Sequence, residues 1–146
     1  MKPTIDNTVK RLLDELGFKY DREAKGRIAL YQFGSVEREG VFPISVTADE
    51  EHSLLVITGH YCRWMTEDNS KSTGYVVNTL NAQFPVGAIL TDPKDGELTF
   101  RVYHCLEGKA ISPGHITALL YLVIGRLKQT VGMIDASMQN PKTAGN

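Results

Sequence analysis

A helix that is apolar on almost every side has to be surrounded, and this chain contains one. Ser112 is placed to cap its start, and Pro113 takes the first helical position, where a missing N–H costs nothing. From there Ile116, Leu119, Leu120, Val123, Ile124, Leu127, Val131 and Ile134 recur at helical spacing to near Met138. Tyr121 and Leu122 make the first half apolar around most of its circumference. The spacing therefore predicts a long central helix against a sheet, with a further neighbour on another side.

The rest of the chain supplies the sheet. A first helix is predicted from about Pro3 to Leu16, with Ile5, Val9, Leu12, Leu13 and Leu16 as its stripe and Gly17 as its stop. Asp6, Lys10, Asp14 and Glu15 mark its polar side. Three strands follow, Arg27–Phe33, Val41–Ala48 and Leu54–Tyr61, joined by polar links short enough for hairpins. The third is apolar on both faces near its start, which predicts a central position. Pro43 predicts an edge or a bulge for the second, because proline cannot donate to a ladder. A second helix begins at Ser70 or Ser72, buries Val76, Val77, Leu80 and Phe84, and stops at Pro85. Val86–Thr91 and Glu97–Leu106 form a hairpin turning on Asp92-Pro93-Lys94-Asp95-Gly96. In its second strand Leu98, Phe100, Val102, His104 and Leu106 alternate with Thr99, Arg101, Tyr103 and Cys105.

The expected architecture is thus α+β, in the order α-β-β-β-α-β-β-α, with an antiparallel sheet packed against helices. Residues 1–138 are expected to form one domain, and 139–146 a disordered polar tail. With 42% apolar and 23% charged residues and a formal net charge of −1, the chain has no basic footprint for nucleic acid. No stretch approaches the length that spans a bilayer, and the N-terminus lacks the pattern of a secretory signal. Two cysteines make no disulfide framework. A cytoplasmic protein with reduced thiols is expected.

Local motifs in the second half run in a definite order. Leu80-Asn81 is followed by Phe84-Pro85-Val86-Gly87, a hairpin with Gly96, Phe100-Arg101 and Tyr103, and then Ile111-Ser112-Pro113 before the apolar helix. This series resembles the YbjN-like family, and the element order is that of the related class I type III secretion chaperones. The resemblance implies a layered sheet with helices against one face, commonly a homodimer, and no established enzyme activity. It also implies a role in bacterial signalling or stress responses, or binding of extended protein segments as secretion chaperones do. The chain lacks the marked acidity of those chaperones.

Candidate sites are few. His60, Cys62, His104 and Cys105 carry zinc-type ligands, but no CxxC or HxxxH spacing, and the neighbours His104 and Cys105 should point to opposite faces. No nucleophile elbow, Walker A loop or G-x-G-x-x-G is present. Asp49-Glu50-Glu51-His52 reads as a solvated hairpin tip. No catalytic residue, cofactor or metal is expected. Arg101 and Tyr103 read as a partner-recognition pair, arginine and aromatic anchors being favoured there. Trp64 with Tyr61 and Met65 is a second candidate patch. Val76, Val77, Leu80, Tyr121 and Leu122 are candidate dimer or partner contacts, and Gly125 and Gly132 would permit close helix approach. The expected function is a non-enzymatic, homodimeric protein-binding module, with neither nucleic acid nor membrane as partner. The alternative is a small-ligand or metal sensor, or minor enzyme, with a pocket lined by His60, Arg101, Tyr103 or His104.

Overall fold

In a computed structural model, which describes residues 4–38, 40–61, 70–92 and 94–139, Thr4 accepts a hydrogen bond from the Asn7 N–H and opens helix α1 (Ile5–Leu16). Gly17 closes the helix in the left-handed region at φ 79°, a conformation glycine adopts without strain. Four strands follow, β1 (Asp21–Lys25), β2 (Ile28–Glu37), β3 (Gly40–Asp49) and β4 (Leu54–Tyr61). Then come α2 (Ser70–Gln83), β5 (Ala88–Thr91), β6 (Leu98–Cys105) and α3 (Pro113–Gln139). All six strands pair antiparallel in the order β1-β2-β3-β4-β6-β5. The architecture is α+β, as the sequence implies.

One strand escapes the sequence pattern. β1 reads DREAK and is exposed at every position, so it carries no apolar alternation. It is a strand because Lys25 lies opposite Ile28 across a two-residue turn, with Gly26 at φ 61°. Its charges suit an outer edge, where they discourage pairing with another chain. Pro43 requires a correction, since the edge or bulge expected of its strand is not what the structure has. Its strand β3 is central, between β2 and β4, yet pairing with β4 runs only from Ile44 to Asp49. Pro43 therefore sits where the described ladder has a partner on one side alone.

Alternation sorts the sheet into two faces. Tyr31, Phe33, Phe42, Ile44, Val46, Leu55, Ile57, Phe100 and Val102 all point to one side and are buried. All three helices of the described residues lie there. α3 runs over β4 and β6 and touches both other helices. Gly59 makes this approach possible: a Cβ there would stand 2.3 Å from Leu127 Cδ1 and 2.8 Å from Val123 Cγ1. The predicted cap of α3 is present, with the His115 N–H donating to Ser112 Oγ at 3.1 Å.

Asn81 closes the β5 edge. Its side-chain amide donates to Ile89 O at 3.1 Å and accepts from Ile89 N at 2.8 Å, a strand's worth of hydrogen bonds from one residue. Beside it Leu80 is fully buried, and Phe84 meets Phe100 edge-on at 5.7 Å. Gly87, at φ 79°, passes so close to Phe100 that a Cβ would come within 2.6 Å of the ring. The motif from Leu80 to Gly87 is therefore a device for seating β5. Replacing Asn81 by Leu should leave the Ile89 N–H and C=O unpaired and cost about 1–3 kcal/mol, read from urea unfolding.

At the other end Asp6 ties α1 to the sheet. The Arg22 guanidinium and the Tyr31 hydroxyl both donate to its carboxylate. Burial pushes the Asp6 carboxyl up, but these two donors outweigh it and hold it below its ordinary value of 3.8. The folded state thus binds this proton less tightly than the unfolded chain. The stabilisation is complete above the ordinary carboxylate pKa and is lost as pH falls through the lowered one. Asp6→Asn should cost about 1–3 kcal/mol near neutrality. Unfolding curves taken at falling pH should show wild type and variant converging in acid.

Candidate functional site

Because the described helices occupy one face, the other has no helical cover among the described residues. Register aligns its side chains in rows across the strands. One row holds Gln32, Ser45, Thr58, Arg101 and Ala88; its neighbour holds Leu30, Thr47, Val56 and Tyr103. Tyr103 is 61% exposed, Leu90 44%, Val41 61% and Val36 80%, all on this face. A polar lane thus crosses a face with apolar side chains on both sides.

Arg101 is the centre of that lane. Its Nε donates to Thr58 Oγ1 at 3.1 Å and its Nη1 to the Tyr103 hydroxyl at 3.2 Å, with the guanidinium 5.9 Å from the Tyr103 ring centroid. Thr58 is buried beneath it, although it points away from the helices. Of the residues expected to line a pocket, the structure brings His60, Arg101 and Tyr103 to this face and places His104 on the other.

His60 connects to two residues the sequence reading did not single out. Its Nδ1 contacts Glu97, and its Nε2 stands 3.4 Å from Ser45 Oγ. Hydroxyl, imidazole and carboxylate follow one another as in nucleophilic catalysts. Yet Ser45 and His60 lie within paired strands, whose N–H groups serve the ladder rather than an oxyanion. Ser45, Thr58 and Glu97 carry no sequence signal, because their positions come from strand register and not from spacing.

The described zinc-type residues, His60, His104 and Cys105, do not converge. His104 packs its ring 4.3 Å from that of His115 at the start of α3, and burial, then the neighbouring imidazole, lowers its pKa. Cys105 is exposed opposite Leu54, at the far end of the strand pair from His60 and Thr99. Cys62 lies outside the described residues. Among those described, no three His, Cys, Asp or Glu side chains gather as a metal site. At the tip after β3, Asp49 accepts from the His52 backbone N–H at 2.9 Å and contacts its ring at 2.8 Å. Glu50 accepts from the Asp6 N–H at 3.0 Å, so these acids serve the turn and the helix start. Two depressions of about 200 and 230 Å³ share Thr4, Arg27 and Glu50 beside α1, away from the residues expected to line a pocket.

No protein-family profile matches the sequence, and no curated protein does. Among solved structures, the chain superposes on YbjN of E. coli, a candidate transcription regulator. The TM-score is 0.64 over 94% of this chain and 93% of that one, at 11% identity. An uncharacterized protein from Methanothermobacter thermautotrophicus matches with a TM-score of 0.64 over 90% and 97%, at 15% identity. The fold is YbjN-like.

Within this YbjN-like fold the expected contact residues separate. Val76 and Leu80 are 4% and 0% exposed and belong to the core. Val77 and Leu122 are half-buried against it, while Tyr121 points outward at 56%. Gly125 and Gly132 lie on the exposed side of α3, with open space beyond each. Trp64 and Met65 lie outside the described residues. Among the described residues, no helix is long and apolar enough to cross a membrane.

The two faces of β6 should respond oppositely to substitution. Tyr103→Ser touches only the open face and should change stability by no more than about 0.5 kcal/mol. Val102→Ser leaves a cavity and a buried hydroxyl under the helices and should cost about 3 kcal/mol or more. Urea midpoints of the two variants check the assignment.

Proposed function

We propose that this chain is a non-enzymatic, regulatory or chaperone-like module that docks a segment of another protein on its open sheet face. The observation that carries this reading is the face itself, with exposed Tyr103 and Leu90 beside a half-buried Arg101 and exposed Val36 and Val41 farther out on the same face. Buried aromatic and arginine anchors dominate binding energy at protein interfaces, and Tyr103 and Arg101 have the chemistry for it. The likeness to a candidate regulator supports the reading at the level of fold. The setting proposed with it is the bacterial cytoplasm, in signalling or stress response.

A homodimer belongs to the same proposal, formed through the outer side of α3. Ala118, Tyr121, Gly125 and Gly132 line that side, which no described element covers. Small residues beside one large aromatic allow a second helix to approach closely. Light scattering at micromolar concentration should give twice the chain mass, and Tyr121→Glu should return it to one; a monomeric wild type overturns the dimer.

The docking reading is tested by comparing proteins retained from a lysate of the source organism by wild type and by a Leu90→Ser, Tyr103→Ser double variant. Partners held by the wild type and lost by the variant support it. Equal retention by both sinks it.

The Ser45–His60–Glu97 series favours a second reading, a minor hydrolytic enzyme. Covalent labelling of Ser45 by a fluorophosphonate, abolished by His60→Gln, would establish that reading, and unlabelled Ser45 removes it.

A further inference from the structure

Arg101 is fixed before any partner arrives. Both of its intramolecular acceptors, Thr58 Oγ1 and the Tyr103 hydroxyl, are neutral. Arg22, by contrast, is clasped by the carboxylate of Asp6. Among the described residues no carboxylate pairs with Arg101. Two of the five guanidinium N–H donors are used, which leaves three. A half-buried, pre-oriented guanidinium with free donors is a receptor for a planar carboxylate, which it binds by paired, charge-assisted hydrogen bonds.

The surroundings define what carries that carboxylate. Along β6 the open-face positions are Thr99, Arg101 and Tyr103, with Leu90 directly across from Thr99. These positions repeat about every 6.6–6.8 Å, the spacing of alternate side chains in any extended chain. A segment lying along β6 therefore offers an apolar residue to Leu90, its next same-side residue to Arg101 and the one after to Tyr103. Charge sets the register as well. One step beyond Thr99 stands Glu97, itself paired with His60, and its carboxylate disfavours an acid at that end. The segment's acid belongs at Arg101.

Resting on the docking reading above, we propose that the open face recognises an extended protein segment in which an aspartate or glutamate is flanked, two positions away on each side, by apolar residues. The acid pairs with Arg101, and the flanking side chains cover Tyr103 and Leu90.

A displayed library of random peptides, fused at their C-termini so that none offers a terminal carboxylate, is panned against the full chain. The strongest binder is then synthesised. Selected peptides should share the apolar-x-acid-x-apolar pattern. Affinity should fall at least tenfold on Arg101→Gln, and equally when the peptide's acid becomes its amide. The two changes together should cost little more than either alone, because both remove one interaction. The change in the peptide requires no protein variant, so poor folding of Arg101→Gln leaves the test intact. Peptides that lose binding on Tyr103→Ser but tolerate the loss of their acid overturn the carboxylate assignment while leaving the docking face standing. Binders indifferent to Tyr103→Ser as well, or a library that yields none, overturn both.

Discussion

The packing of α3 onto β4 at Gly59 is the contact on which the rest of this structure depends. A side chain at that position would collide with Leu127 and Val123, so only its absence lets a long apolar helix lie close against the central strands. Once α3 is seated, α1 and α2 pack beside it on the same side of the sheet. The helices' shared apolar surface is then used up on one face. Among the described residues the opposite face is left without a helix, because all three described helices are already placed.

That division explains why potential functional chemistry collects where it does. Groups on the helical face are enclosed by Leu55, Ile57, Phe100 and Leu120, each nearly or fully buried. Polar side chains there serve as ties, as Asp6 does between Arg22 and Tyr31. On the open face, Arg101, Thr58, His60, Ser45 and Glu97 hydrogen-bond across strands and remain within reach of solvent or a partner. The guanidinium of Arg101 is held there by Thr58 and Tyr103, with Leu90 exposed nearby.

Much of the fold is legible in the sequence because its elements are strongly periodic or strongly punctuated. Ser112-Pro113 marks the start of α3, and Gly17 the end of α1. Alternation along β6 separates Val102 from Tyr103 correctly. β1 is invisible for a physical reason: its five residues bury nothing, and only pairing with β2 makes it a strand. Leu80-Asn81 is readable as a motif but not as a mechanism, since the two hydrogen bonds to Ile89 depend on how α2 sits against β5. The site is legible in part. Arg101 and Tyr103 stand out from their strand, whereas Ser45, Thr58 and Glu97 are ordinary polar residues until register places them beside His60 and Arg101.

By itself the sequence determined local conformation and which side of each element is apolar, because periodicity, caps and turn residues act over a few positions. It determined that His104 and Cys105 face apart, and that α3 is covered on more than one side, though not that Tyr121 would stay exposed. Tertiary structure alone decided which apolar sides meet, and so which residues are spent. Val76 and Leu80 look like candidates for an interface but disappear into the core, while Tyr121 on α3 stays outside. It also decided that Arg101 has two neutral partners among the described residues, because the strand beside it is chosen by long-range pairing, with Thr58 brought opposite from elsewhere in the chain.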